Sequence, residues 1–147
     1  MLPIDRTIVP DVIQGQELAT LTSRATVREA ASLMVARHVG AVLVVERNRL
    51  IGIVTERDLA ARVVAPAVDP SRTRLADVMT RAPDTLRPTD SVRDALDLMS
   101  NGDYRHLPVV DDDGRLVGIV SIRDLYRCII DQMEVDVLLL AEGLLRG

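Results

Sequence analysis

Two predicted strand-to-helix junctions of the chain each place a hydroxyl and a carboxylate three positions apart, with an arginine between them. They are residues 55–58 (TERD) and residues 121–124 (SIRD). A carboxylate can accept hydrogen bonds from both hydroxyl groups of a ribose. A hydroxyl beside the free amides of a helix N-terminus suits a phosphate, which a guanidinium can contact from the other side. The pattern therefore predicts a nucleotide site, with ribose on Asp58 or Asp124 and phosphate on the hydroxyl and arginine.

The same spacing has a purely structural explanation, which stays open. Ser/Thr-x-x-Asp is close to the capping box, in which a hydroxyl and an acid satisfy the free amides at the start of a helix. Two further helices are predicted to begin at Thr26 and Ser91, with Glu29 and Asp94 three residues on as caps. The occurrence of residues 55–58 and 121–124 at matching positions of a repeat favours the ligand site.

That repeat is the main organisational feature of the chain. Residues 49–54 (RLIGIV) match residues 115–120 (RLVGIV), 66 positions on. The segment that starts at Thr26 matches the one that starts at Ser91 at a shift of 65, so the second copy has one extra residue. The expected place for this residue is the turn at 101–104. A duplication of this density predicts two structural units of the same kind.

Each copy predicts the order βαββα, because a segment of helical periodicity is followed by two β-rich runs and a second helix. The runs are residues 41–45 and 50–54 in copy 1 and 107–110 and 116–120 in copy 2, joined by turns at 47–48 and 112–114. The predicted divisions are repeat 1 at 8–65, a linker at 66–74 with two prolines nearby, repeat 2 at 75–130 and a helical tail at 131–147.

The tail is rich in leucine, with residues 138–140 (LLL) and 144–145 (LL) in a short span. It predicts a further helix with more apolar surface than a solvent-exposed element needs. Packing on its own domain and packing on a second subunit both remain open at this point.

The duplicated motifs resemble the cystathionine β-synthase (CBS) domain family, as a tandem pair over roughly residues 8–130. The segments that carry the resemblance are 52–58 (GIVTERD), 118–124 (GIVSIRD) and 105–111 (RHLPVVD). The resemblance implies an α/β (α+β) fold in which two βαββα repeats pack as a pseudo-twofold pair, the Bateman module. It also implies a non-catalytic regulatory or sensor protein that binds AMP, ADP, ATP or S-adenosylmethionine in clefts between the repeats.

Carried onto this sequence, the resemblance assigns ribose to Asp58 and Asp124. The arginine after each hydroxyl is expected to serve the opposite cleft, so that Arg123 reaches the Asp58 site and Arg57 the Asp124 site. The remaining assignments are phosphate contacts from Thr55, Ser121, Arg105 and His106, and adenine-lining positions at Ala19, Val42, Asp84 and Pro108.

The two copies differ where residues 40–43 (GAVL) are aligned with residues 106–109 (HLPV). In this alignment copy 1 lacks both the proline and the basic pair of copy 2. The two clefts are therefore expected to be chemically unequal.

Composition argues against several other classes of protein. The net charge is −4, and the chain has two Tyr with no Phe or Trp, so it lacks the basic patch and the stacking platform of nucleic-acid binders. An aliphatic wall is accordingly expected over the purine. No nucleophile–base pair, phosphate-binding loop or metal-ligand spacing is evident, so neither an enzyme nor a metal site is expected.

Cellular context and partners follow from weaker signals. The single Cys128 forms no internal disulfide, and no signal peptide or membrane span is evident, so a cytoplasmic protein is expected. A homodimer is expected from the family resemblance and the leucine-rich tail, with an unidentified effector protein as the recipient of the signal. The alternative function is a structural dimerisation module without a ligand, whose Ser/Thr-x-x-Asp motifs are helix caps only; a nucleic-acid accessory domain and a ligand-buffering protein are weaker alternatives.

Overall fold

The structure, a computed structural model, describes residues 2–146, and each half of the chain begins its main helix at a capping box. Thr26 accepts a hydrogen bond from the Glu29 amide (3.2 Å), and the Glu29 carboxylate accepts one from the Thr26 amide (2.7 Å). The elements of the first half are a 3₁₀ turn Pro3–Asp5, an irregular helical segment Ile8–Val12, β1 (Thr20–Leu21), α1 (Val27–Arg37), β2 (Ala41–Glu46), β3 (Arg49–Thr55) and α2 (Glu56–Leu59), which continues as a π-helical turn Ala60–Val64.

The second half follows the same plan after the linker. Ser91 and Asp94 form the equivalent capping box. The elements are α3 (Leu75–Val78), β4 (Thr80–Arg81), α4 (Val92–Gly102), β5 (His106–Val110), β6 (Leu116–Ser121) and α5 (Ile122–Arg146). A single parallel bridge between Leu86 and Val109 takes the place that β1 has in the first half. The predicted α/β fold of two βαββα repeats is confirmed.

The extra residue of the second copy lies in the β5–β6 turn and not at 101–104, where it was predicted. The helix caps His38 and Asp103 are 65 positions apart, as are Ala41 and His106 at the starts of β2 and β5. Only after the hairpins does the offset become 66. The first turn has two residues, both with positive φ as a type I′ turn requires, whereas the second encloses residues 112–114.

This corrects the alignment of residues 40–43 with 106–109. His106 lies at the start of β5 opposite Ser121, and Ala41 lies at the start of β2 opposite Thr55. The counterpart of His106 is therefore Ala41, and the counterpart of Arg105 is Gly40. The basic pair is indeed present in one copy only, but at a register one residue away from the predicted one.

The two sheets are small. The first has the strand order β1-β2-β3-β4, with β1 parallel to β2 and the other neighbours antiparallel. The second contains the antiparallel pair β5-β6. An apolar cluster joins the two sheets, with Leu43 and Ile53 from the first and Leu116 and Ile119 from the second among its members. Burial of this cluster holds the repeats together as a pair.

Each repeat completes its core with the first segment of the other repeat. Ile8 and Ile13 pack among the core residues of the second repeat, including Leu125. Leu75 and Val78 pack in the core of the first repeat. The predicted boundaries at residues 8 and 75 therefore separate sequence repeats, while the packing units exchange their first segments.

The predicted tail is the continuation of α5 and not a separate helix. One uninterrupted helix runs from Ile122 to Arg146. Leu125 is fully buried, but from Ile130 onwards the large apolar side chains of this helix are exposed. Packing of the tail on its own domain, one of the two open alternatives, is wrong for the described residues. No helix within residues 2–146 is long and apolar enough to cross a membrane.

The exchange of segments predicts a large effect of an N-terminal substitution. Ile8→Ala should lower the free energy of unfolding by about 2–5 kcal/mol, because Ile8 is fully buried in the core of the second repeat. Leu2→Ala, at a 60% exposed position, is the control and should change it by less than about 0.5 kcal/mol. Urea unfolding measures both, and equal values for the two variants would contradict the exchange.

Candidate functional site

A cleft of ≈ 1410 Å³ lies between the two repeats. One wall is the junction of β3 and α2 in the first repeat, and the other consists of α4, the start of β5 and the start of α5. Six residues that the sequence predicted as ligand contacts line this cleft: Thr55, Arg57, Asp58, Asp84, Arg105 and His106. The fold thus brings residues from both repeats to one site.

Thr55 and Asp58 form a capping box at the start of α2. The Asp58 carboxylate accepts a hydrogen bond from the Thr55 amide (2.8 Å) and lies 3.1 Å from its hydroxyl, all through Oδ2. The Asp58 amide in turn donates to the Thr55 hydroxyl (3.3 Å). The structural explanation of this motif, a capping box at the start of a helix, is therefore correct. The second carboxylate oxygen, Oδ1, has a long contact of 3.9 Å to the Arg62 guanidinium.

The cap and a ligand contact are compatible at Asp58, since they use different oxygens. Arg62 donates through Nη1 to the backbone carbonyl groups of Val78 and Met79 at 2.7 and 3.1 Å, while its Nε lies 3.9 Å from Oδ1 of Asp58, beyond hydrogen-bond distance. Oδ1 of Asp58 thus remains able to accept from a ligand hydroxyl. The capping box fixes the rotamer of the carboxylate that would do so.

The motif alone does not distinguish a ligand site from a cap. The helix starts at Thr26, Thr55, Ser91 and Ser121 all have the pattern Ser/Thr-x-Arg-Asp/Glu, and each has the two reciprocal backbone hydrogen bonds of a capping box. Thr26 and Glu29 line a smaller pocket beside α1, whereas Thr55 lies in the wall of the cleft between the two repeats. Tertiary placement, and not the local sequence, marks this start as a candidate binding site.

The second predicted set does not enter this cleft. Ser121 and Asp124 cap α5 in the same way, with the Ser121 amide donating to the Asp124 carboxylate at 2.8 Å. The neighbouring edge of β6 is occupied by a side chain from the first segment of repeat 1, Gln16. Gln16 accepts from the Ile119 amide (2.9 Å) and donates to the Ile119 carbonyl (3.0 Å). In the first repeat the equivalent Ile53 pairs with the backbone of β4.

The prediction that each arginine serves the opposite cleft is wrong for Arg57. Its guanidinium donates to the Asp103 carbonyl (3.0 Å) and lies 3.4 Å from the Asp103 carboxylate, at the rim of the cleft that holds Asp58. Both side chains are largely exposed, so this ion pair contributes little to stability and can rearrange around a ligand. Arg123 does not belong to the described wall of this cleft.

Three of the four predicted adenine-lining residues lie elsewhere. Ala19 and Val42 belong to the core of the first repeat, and Pro108 is buried in β5 opposite Ile119. Alternation along a strand explains the error, because Val42 and Val44 face one side of the sheet while Leu43 faces the other repeat. Of the predicted four, the structure places Asp84 in the cleft.

His106 is half-buried in the wall next to the first repeat. A Cβ atom on Gly40 would come within 3.3 Å of its Nε2, so the glycine allows this close approach. Burial lowers the pKa of His106 below its usual value, against the opposing influence of Glu56 and Asp124, and Arg105 lowers it further. At neutral pH the imidazole is therefore uncharged, and it offers a ligand a hydrogen bond and no positive charge.

The sequence interpretation missed two aromatic residues of the cleft. Tyr104 and Tyr126 are the only aromatic residues of the chain, and both line this wall. The Tyr104 hydroxyl donates to the Asp84 carboxylate, and burial together with this hydrogen bond raises the pKa of Tyr104 to about 12. The predicted aliphatic cover is thus partly aromatic. The only feature of the sequence that could have drawn attention to these two tyrosines is that the chain has no other Tyr, Phe or Trp.

The wall of the cleft is acidic. It contains five carboxylates, from Glu56, Asp58, Asp84, Asp97 and Asp103, and two guanidinium groups, from Arg57 and Arg105, which is a net charge of −3 when His106 is neutral. A cleft of this charge repels polyanions. Within residues 2–146, no group of three or more His, Cys, Asp or Glu side chains is arranged to hold a metal ion.

The architecture of two βαββα repeats with a cleft between them defines a tandem CBS-domain protein. The family model described as "CBS domain" matches residues 10–65 and 75–131, so the chain belongs to this family. The CBS domain-containing protein YhcV of Bacillus subtilis is 41% identical over 109 residues, which are 74% of this chain and 76% of that protein. An uncharacterised 17.7 kDa protein of Acidianus ambivalens is 38% identical over 107 residues, which are 72% of this chain and 63% of the relative.

Solved structures show the same fold. A protein with CBS domains from Burkholderia ambifaria superposes with a TM-score of 0.80 and 34% identity, covering 86% of this chain and 95% of that one. A CBS domain protein from Pyrobaculum aerophilum, solved in complex with AMP, superposes with a TM-score of 0.73 and is 31% identical. The match covers 83% of this chain and 95% of that one. The names of these relatives describe no enzyme.

The capping role of Thr55 yields a stability prediction that is independent of any ligand. Thr55→Ala should lower the free energy of unfolding by about 0.5–2 kcal/mol, because it removes the hydroxyl that accepts from the Asp58 amide. Thr55→Ser keeps that acceptor and should lie near the parent chain. Chemical denaturation of the ligand-free protein measures the difference; no loss in Thr55→Ala would show that the cap is unimportant.

Proposed function

We propose that this protein is a non-catalytic sensor that binds an adenosine-containing ligand in the cleft between its two CBS repeats. The observation that carries the proposal is the convergence of Asp58 from one repeat with Arg105 and His106 from the other on a single cleft. The AMP complex of the Pyrobaculum aerophilum protein supports the same class of ligand.

The ribose is assigned to Asp58. Its Oδ2 is used by the cap, whereas Oδ1 has a 3.9 Å contact to the Arg62 guanidinium. A carboxylate in a fixed rotamer pays less conformational entropy on accepting hydroxyl hydrogen bonds. This makes Asp58 a preorganised acceptor for vicinal hydroxyls.

Phosphate and base are assigned to opposite parts of the wall. Arg57 and Arg105 are exposed guanidinium groups that can turn towards a phosphate, while Thr55 adds a hydroxyl. Tyr104 and Tyr126 offer aromatic rings on which a purine can stack, since every purine has a π-face. No step of this assignment requires a metal ion.

The charge of the wall discriminates among the candidate ligands. Two guanidinium groups against five carboxylates match a monophosphate or a cationic adenosyl compound better than a triphosphate. Among AMP, ADP, ATP and S-adenosylmethionine, we therefore propose AMP or S-adenosylmethionine as the class that binds most tightly.

A sensor must transmit the occupancy of its ligand site to the rest of the molecule through the residues that line the site. Ile122 and Tyr126 contribute to the cleft and belong to the first turns of α5, so occupancy can be transmitted along this rigid helix. We propose an effector protein as the recipient and a homodimer as the acting form. A cytoplasmic location is part of this proposal and is supported by the single cysteine.

A dimerisation module without a ligand is the second candidate. The capping boxes at Thr55 and Ser121 favour it, because they give the duplicated motif a structural purpose in both repeats. It predicts that no adenosyl compound raises the melting temperature.

Substitution of Asp58 separates the two functions. Asp58→Asn keeps an acceptor for the cap and removes the charge that holds the ribose, so the affinity for AMP should fall by about 1.5–3 kcal/mol, roughly 10- to 150-fold. Asp94→Asn is the matched control, because Asp94 caps α4 in the same way and does not line this cleft. Isothermal titration calorimetry measures both. Unchanged affinity in folded Asp58→Asn would rule out the ribose role.

The acidic wall predicts an order of affinities. In magnesium-free buffer at low salt, AMP or S-adenosylmethionine should stabilise the protein more than ATP, with GTP as a control. A ligand at about 100 times its Kd should add about 2.7 kcal/mol. Asp97→Asn should raise the affinity for ATP about two- to fivefold, and high salt should reduce this gain.

Thermal shift and titration of nucleotide-free protein test this order. Stabilisation by ATP above AMP and S-adenosylmethionine would contradict the charge argument while leaving the sensor proposal standing. A flat response to all adenosyl compounds would favour the dimerisation module.

A further inference from the structure

The second half of α5 carries a large apolar surface that nothing in the described chain covers. The helix is attached to the domain through Leu125 and through a hydrogen bond from Arg6 to Gln132, and then continues to Arg146. Its exposed large apolar side chains are Tyr126, Ile130, Met133, Val135, Val137, Leu138, Leu139, Leu140, Leu144 and Leu145. A helix with this much exposed apolar surface requires a partner.

Six of these side chains form a regular stripe. From Tyr126 to Leu144 they recur with alternating spacings of four and three residues, which is the heptad repeat of a coiled coil. The a positions are Ile130, Val137 and Leu144, and the d positions are Tyr126, Met133 and Leu140. The stripe therefore faces one direction along nearly the whole length of α5.

We propose that this stripe is the docking surface for α5 of a second copy of the same chain, as a parallel two-stranded coiled coil. β-Branched residues at a with Leu at d favour two parallel strands, and three of the six positions follow this rule: Ile130 and Val137 at a, and Leu140 at d. Identical stripes from two copies are self-complementary, as a twofold interface requires. Apart from Tyr126, which also lines the nucleotide cleft, the residues of the stripe lie outside the cleft wall.

The charges that flank the stripe select the parallel orientation. Glu134 lies at an e position and Asp136 at a g position. In an antiparallel pair centred on the stripe, each of these acids would lie opposite the same acid of the second chain. In a parallel pair, Asp136 faces Ala141 of the partner subunit, and Glu134 faces Ile129 of the partner subunit, so no like charges meet.

The stripe supplies a large part of the area of a standard protein–protein interface. A buried Leu-sized side chain removes roughly 60–120 Å² of apolar surface, taken from about 1.5–3 kcal/mol at ~25 cal/mol/Å². The six stripe residues thus bury roughly 400–700 Å² per copy before flanking atoms are counted. A standard protein–protein interface buries about 800 Å² per partner.

Sedimentation equilibrium of the full chain, with and without substitutions in α5, tests the surface. The parent chain should be a dimer at micromolar concentration, and Leu140→Glu should raise its dissociation constant about 100-fold or more. Leu139→Glu is the matched control, because Leu139 has a similar exposure (61% against 69%) and lies outside the stripe. It should leave the dimer intact.

Several results would overturn the proposal. A monomeric parent chain would show that a different partner or a lipid surface covers the stripe. A dimer that survives Leu140→Glu would place the interface elsewhere. An assembly larger than a dimer that both substitutions disrupt would replace the two-stranded arrangement with a bundle. Circular dichroism of each variant confirms that the domain remains folded, as expected for exposed positions.

Spin labels at the end of α5 test the orientation. In the Cys128→Ser background, Arg146→Cys carries the label. A parallel pair brings the two labels within about 15 Å, whereas the centred antiparallel pair separates them by about 33 Å, from the ~1.5 Å rise per residue. A distance near the longer value would reject the parallel arrangement while retaining α5 as the interface.

Discussion

The packing of each exchanged segment into the core of the other repeat is the contact on which the molecule depends. Ile8 and Ile13 complete the second core, and Leu75 and Val78 complete the first. Neither repeat has its full set of buried side chains without the first segment of the other repeat. The two repeats are therefore stable as a pair, and the cleft between them has walls whose separation is set by shared cores rather than by a hinge.

The same hydrogen bonds serve the fold and the site. The capping box at Thr55 satisfies the first amides of α2, and it also holds the Asp58 carboxylate in one rotamer at the wall of the cleft. A preorganised acceptor binds a hydroxyl at lower entropic cost than a mobile one. A structural and a ligand-binding role for this motif are thus compatible, because they use different oxygens of the carboxylate.

The duplication, the element order and the cleft carboxylate were predictable because each has a local pattern. The wrong predictions depend on information that no local pattern contains. The offset of one residue lies in a hairpin turn, where two- and three-residue loops are both allowed, so matching motifs on either side cannot locate it. Val42 and Leu43 are both apolar, and only the packing of the sheet decides which of them faces the core of its own repeat and which faces the other repeat. Tyr104 reaches the cleft through tertiary structure alone.

The two repeats are alike in sequence, but their sheet edges are completed in different ways. In the first repeat the backbone of β4 pairs with Gly52 and Ile53, so the following residues, 82–84, become part of the cleft wall. In the second repeat a side chain, that of Gln16, takes this role at Ile119. Backbone pairing by β4 also positions the residues that follow β4. The hydrogen bonds of the Gln16 side chain position that side chain and not the residues that follow it. A duplicated motif can therefore keep its helix cap in both copies while one copy alone is built into a described cleft.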